Sequence, residues 1–238
     1  MVASLSLLFV VAVSLHAEMY RTRPAATELT SFYLMMSVGG VIGGLFCAIV
    51  APLVFDWTWE HPILILAAAA LMPKTGLIPL DHSNRKIAVA MATLGVVALI
   101  LAIYGVLTEP EAITMTKVLL AAAIMAIGAA TAGFRLPFLL AVAGLLTING
   151  GWDNLKKSTD GSRMRSYFGT YTVTDDGNSR WLMHGTTMHG MQLRNEPTRP
   201  ISYYPVTSGV GIALANAPRL YGANASIGVV GLGTGTLA

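Results

Sequence analysis

Between its first residue and Gly150 the chain consists of long apolar runs separated by short charged punctuation, and this restricts it to a helical membrane architecture. A hydrocarbon core about 30 Å thick offers no water to exposed backbone groups. A crossing segment must therefore close its own hydrogen bonds, as a helix of about 20 apolar residues does. Residues 31–55 and 87–107 read as clear spans. Residues 2–17 are nearly long enough and are followed by Glu18, Arg21 and Arg23, with His16 at their end. Residues 118–132 and 137–148 are shorter and read as a helical hairpin turning at Gly133, Phe134 and Arg135. Residues 62–72, bounded by two prolines, rise only about 16 Å as a helix and do not cross a bilayer unaided. The count is five or six spans.

The rest of the composition agrees. The chain is 54% hydrophobic and 11% charged, with a mean hydropathy of +0.63. A soluble domain carries about 25% charged residues. After Gly150 the sequence becomes mixed and rich in turn residues, so we place a boundary between residues 1–150, a transmembrane helical domain, and residues 151–238, a polar tail. The net charge of +3 is small and scattered, which argues against a nucleic-acid partner and leaves the lipid bilayer as the expected one. The cluster Lys156, Lys157, Arg163 and Arg165 reads as a juxtamembrane flank. With six spans the tail lies opposite Arg21, Arg23, Lys74, Arg85, Lys86 and Arg135; with five it shares a side with Arg21, Arg23 and Lys117. Charge asymmetry thus gives no clean topology, and a cytoplasmic tail is expected because nucleotide cofactors are found there. The lone Cys47 lies within an apolar run and fills space.

Gly39/Gly43 and Gly40/Gly44 form two Gly-x-x-x-Gly pairs inside one span. Small residues let helix backbones approach in lipid, so these glycines are expected to pack within the bundle. A seam to a second copy or a partner subunit is the other reading. No span carries an ionisable residue at its centre, so nothing marks an ion route.

In the tail, residues 166–185 read as a β-hairpin, with strands over 167–173 and 180–183 around the turn signal Asp175-Asp176-Gly177-Asn178. His184-Gly-Thr-Thr-Met-His189-Gly follows. Two histidines without a third ligand do not make a metal site, so a polar active-site loop or plain turn chemistry is expected instead. Residues 208–214 begin a small-residue helix. Residues 226–230 form an apolar strand that runs into Gly231-Leu-Gly233-Thr-Gly235. A strand entering Gly-x-Gly-x-Gly is how a nucleotide-binding α/β domain opens, because the glycines allow a tight turn and close approach to a ligand.

This order of hairpin, His-Gly-Thr-Thr-x-His-Gly loop, Tyr203-Tyr204, Ser208-Gly-Val-Gly and Val-Val-Gly-Leu-Gly-Thr-Gly resembles the bacterial fused membrane proteins with a spermidine synthase-like domain. His16-Ala-Glu-Met-Tyr-Arg-Thr-Arg-Pro24, Leu29-Thr-Ser-Phe-Tyr-Leu34, Gly39-Gly40, Gly43-Gly-Leu-Phe46 and Ala51-Pro52 resemble the last part of that family's membrane domain. The resemblance covers nearly the whole chain. It implies an α-helical membrane bundle followed by an α+β tail: a β-hairpin, then the first strand and glycine loop of an incomplete Rossmann-like, methyltransferase-type domain. It also implies that earlier spans and most of the transferase domain lie outside residues 1–238.

For the soluble enzymes the resemblance implies aminopropyl transfer from decarboxylated S-adenosylmethionine to an amine such as putrescine. Gly231, Gly233 and Gly235 match the cofactor loop. Tyr167, His184, His189 and Tyr204 are candidates for lining the substrate pocket. Gly169 stands where the soluble enzymes carry glutamine, His184-Gly185 where they carry Asp-Gly, and Met188 where a second glutamine is expected. No catalytic base is identified, no bound cofactor is expected in this chain by itself, and no metal is implied. The implied location is the bacterial inner membrane, multi-pass. A non-catalytic scaffolding subunit and a transporter-like membrane domain are the competing classes.

Overall fold

The computed structural model describes residues 2–72, 76–108, 114–231 and 234–235. The chain divides into two compact units, residues 1–156 and 157–238.

The first unit is helical. Helix α1 (Val2–Arg21) closes on a Glu18–Arg21 ion pair. Helix α2 (Leu29–Leu45) continues through a wide π-type turn (Phe46–Val50) into α3 (Ala51–Val54). Helix α4 (Glu60–Leu71) is short. Helix α5 (Arg85–Thr108) is opened by Asn84, whose Oδ1 accepts from the Lys86 N–H at 3.0 Å. Helix α6 (Met115–Thr131) is opened by Thr114, whose hydroxyl accepts from the Lys117 N–H at 3.2 Å. Both caps satisfy N–H groups that the first helical turn leaves orphaned. Helix α7 (Arg135–Leu146) returns from α6 across a turn at Gly133, whose φ of +97° favours glycine. The chain then leaves helical backbone at Asn149 and Gly150 before α8 (Trp152–Thr159).

Three segments are long and apolar enough to cross a membrane: Ala26–Val54, Arg85–Thr108 and Arg135–Thr159. Glu60–Leu71 and Met115–Thr131 are apolar but shorter.

The centre of this unit is α5, α6 and α7. Ala98, Ala102, Ile124 and Ala141 are fully buried, with Ile148 beside them. The contact surfaces are made of small residues. A methyl group added to Gly95 would lie 2.7 Å from the Pro137 Cα, and one on Gly144 would lie 3.1 Å from the Ala98 carbonyl oxygen. In lipid no hydrophobic drive holds helices together, so close van der Waals contact must. The outward faces carry large apolar side chains such as Ile100 and Val89.

The Gly39, Gly40, Gly43 and Gly44 cluster differs from expectation. No described residue lies within 4 Å of a methyl group built on any of the four, and α2 buries no residue. The bundle is instead packed through Gly95, Ala98, Ala102 and Gly105 on α5, small residues spaced three and four apart.

The second unit is a meander. Strands β1 (Arg163–Ser166), β2 (Gly169–Asp175), β3 (Ser179–His184) and β4 (Thr187–Leu193) form one antiparallel sheet in chain order. The expected hairpin is its centre, and the expected loop at 184–190 is the β3–β4 turn and most of β4. Helix α9 (Gly209–Tyr221) follows, capped by Ser208, whose hydroxyl accepts from the Gly211 N–H at 3.1 Å.

The expected strand over 226–230 is not formed; these residues are irregular. Ile227 is 53% exposed and Val230 fully so. An isolated strand has no ladder to complete, and the four-stranded meander already pairs in sequence order. The Rossmann-like strand-to-helix corner is therefore absent among the described residues.

Candidate functional site

The site is built outward from one turn. The Asp175 carboxylate accepts from the Gly177 N–H at 3.0 Å, and that of Asp176 accepts from the Asn178 and Ser179 N–H groups at 2.9 and 2.6 Å. Gly177 takes φ +87°. These short-range bonds fix where β2 reverses into β3. The Asp175 carboxylate also pairs with Arg194 and with Arg180. Arg194 above all, then the Gly177 N–H and Arg180, hold its pKa well below the usual carboxylate range.

The register follows from that turn. Asp175 faces Arg180, so the same pairing sets Tyr171 opposite His184. Their rings stack, with centroids 4.4 Å apart and planes 14° from parallel. The β3–β4 pairing then slips: Leu182 faces Gly190 while Met183 faces Met188. His189 is the extra residue of this bulge, and a bulge re-aims its side chain. The His189 ring lies 5.4 Å from that of His184. Three rings from three strands thus form one row.

Hydrogen bonds hold the row. His184 Nε2 lies 2.9 Å from the Phe168 carbonyl oxygen and donates to it. The Tyr203 hydroxyl donates to the Met188 carbonyl at 2.8 Å, next to His189. Gly169 makes room for His184: a methyl group at position 169 would overlap Nε2. The glycine segment reaches the same strand. A methyl group on Gly190 would lie 2.5 Å from Thr234 Cγ2, so Thr234 packs directly on β4.

Of the residues singled out in the sequence, the structure brings together His184 and His189. Tyr204 is linked to them only through Tyr203, whose ring it meets edge-on at 6.2 Å. Tyr167 stands in the β1–β2 turn with an exposed ring. Gly231 and Gly235 have φ of +91° and +74°, and Gly233 lies outside the described residues. Sequence reasoning missed Tyr171, although counting outward from the turn reaches it. It also missed Thr234, for which no local signal exists.

Chemically, the row offers two imidazoles able to accept or donate protons and flat faces able to stack on a ring. Among the described residues no group of three or more His, Cys, Asp or Glu converges, so the histidine pair lacks the third protein ligand of a metal centre. No family model matches this chain, and no curated protein or solved structure matches it either.

Proposed function

We propose that this chain is part of a membrane-anchored, spermidine synthase-like transferase that uses an S-adenosylmethionine-type donor to transfer an aminopropyl group to a polyamine or related amine, and that residues 1–238 by themselves are inactive. The observation that supports it is the packing of Thr234, which lies within the glycine segment, on Gly190 of the strand that carries His189. In this reading Gly231, Gly233 and Gly235 approach the adenosyl nucleoside, and His184 and His189 line the acceptor side. The acceptor nitrogen attacks the aminopropyl carbon bonded to the sulfonium, the C–S bond breaks, a neutral thioether leaves, and the amine loses a proton. Orientation and proton removal supply the rate. We assign no base.

Two titrations test this reading. The 238-residue chain by itself is expected to bind no S-adenosyl nucleoside tighter than about millimolar (about −4 kcal/mol), because residues 226–230 have no paired strand to shape the loop. If the encoding DNA continues in frame past codon 238, the longer product is expected to bind decarboxylated S-adenosylmethionine or S-adenosylmethionine, and to lose that binding with Gly233→Val. A frame that stops at codon 238, or a longer product that binds neither donor, overturns the reading.

One observation favours a second reading, a structural subunit that associates through α2. The glycine face of that helix meets no described residue. Light scattering of the protein in a neutral detergent tests it: self-association that Gly43→Ile abolishes supports it, and a monomer before and after substitution removes it.

A further inference from the structure

Three of the four tryptophans of the chain, Trp57, Trp59 and Trp152, line one cavity in the helical unit. Its volume is about 390 Å³, within the range of small-molecule sites. Trp57 and Trp59 come from the segment before α4, their rings 5.2 Å apart and edge-to-face. Trp152 comes from the start of α8. The rest of the wall is mostly apolar and includes Leu66 and Leu146.

The polar groups of the wall share one property. Their known donors are already committed to the protein. Trp59 Nε1 donates to the Asp56 carboxylate at 3.2 Å. The Thr147 hydroxyl donates to the Ala143 carbonyl, and the Asn149 amide donates to the Leu145 carbonyl, each at 2.8 Å. The Asn154 amide donates to the Gly150 carbonyl, also at 2.8 Å. What these groups present is acceptor oxygen and indole face. Among the described residues no lysine or arginine lines the cavity, and its only basic side chain is His61. Electron-rich ring faces and acceptor oxygens form a surface for a positive charge. The chain shows the same preference just outside the wall, where the Lys156 ammonium sits 5.9 Å from the Trp152 ring centroid.

We propose that this cavity binds an organic ammonium group, carried either by a phospholipid headgroup or by a free amine. The site is separate from the ring row on the sheet and does not rest on the transferase reading. An alkylammonium cation seats against the indoles, with Asn149 and Thr147 facing it as acceptors. A tryptophan belt at a membrane surface would need only outward-facing rings; three indoles lining one open cavity go beyond that.

The test reads tryptophan emission from the full chain in a maltoside micelle, in a Trp181→Phe background so that every remaining tryptophan lines the cavity. Titration with tetramethylammonium chloride is expected to give a saturable change that sodium chloride does not reproduce. Trp152→Leu is expected to weaken it by about tenfold, with Trp152→Phe between the two because it keeps a weaker ring face. No saturable change, an equal response to sodium chloride, or equal binding by the Trp, Phe and Leu forms overturns the proposal. Nanodiscs then separate the sources. If a headgroup is the ligand, adding phosphatidylethanolamine to phosphatidylglycerol discs weakens the tetramethylammonium response. If a free amine is the ligand, lipid composition leaves that response unchanged.

Discussion

The Gly169 backbone and the His184 ring are packed so closely that no side chain fits at position 169 while the imidazole stays in place. Gly169 takes φ +134°, a backbone conformation that side chains disfavour, and the His184 ring occupies the space its side chain would need. The imidazole in turn reaches past it to the Phe168 carbonyl. Gly169→Ala is therefore expected to destabilise the sheet by about 1–3 kcal/mol through backbone strain and overlap. In the His184→Ala background the overlap is gone and the strain remains, so the same substitution should cost less. Denaturant unfolding of the four forms measures the coupling, expected at about 0.5 kcal/mol or more. Additive costs would show that the contact carries no energy.

The Asp175 carboxylate gives the sheet an acid-sensitive turn. Its pKa is lowered in the folded chain, chiefly by Arg194 and then by the Gly177 N–H and Arg180. A lowered folded pKa stabilises the fold above the unfolded value, near 3.9, and that stabilisation is lost as pH falls from there toward the folded value. Hydrogen exchange over residues 169–194 is expected to be unchanged from pH 7 to 5, after correction for intrinsic rates, and to accelerate below about pH 4. Asp175→Asn should remove most of that acid dependence.

The two glycine clusters should respond oppositely to enlargement. Gly95→Val drives a side chain into the Pro137 backbone, 2.7 Å from the first added carbon, and is expected to cost about 1–3 kcal/mol or more. Loss of helical signal in a denaturing-detergent titration measures it. Gly43→Val meets open space among the described residues and should leave that transition within about 0.5 kcal/mol of the parent.

Ser208 caps α9 through a single hydroxyl bond to the Gly211 N–H. Ser208→Ala is expected to cost about 1 kcal/mol, read as faster hydrogen exchange in the first turn of α9. Ser208→Asp, which retains an acceptor and adds charge favourable to the helix dipole, should restore the protection.

Much of this architecture was readable one residue at a time. The Asp175-Asp176-Gly177-Asn178 turn was legible because its bonds are short-range, and placing it sets the Tyr171–His184 pairing by counting. The row it creates was less legible, because the bulge that brings His189 beside His184 depends on how β4 meets β3. The strand expected over 226–230 had the right composition. Strand formation, however, requires a paired neighbour, and local composition cannot supply one.

Gly39–Gly44 and Gly95–Gly105 make the same point in the helical unit. Both present small residues at helical spacing, yet only the second meets a neighbouring helix among the described residues. A small residue permits close approach without naming what approaches. The apolar runs, the polar tail and the tight turns were settled by the chain alone, since each depends on solvation or on bonds between near neighbours. Which glycines are covered, which rings stack, and which three indoles share a cavity were decided only by tertiary packing, because each joins residues whose separation along the chain carries no record of their contact.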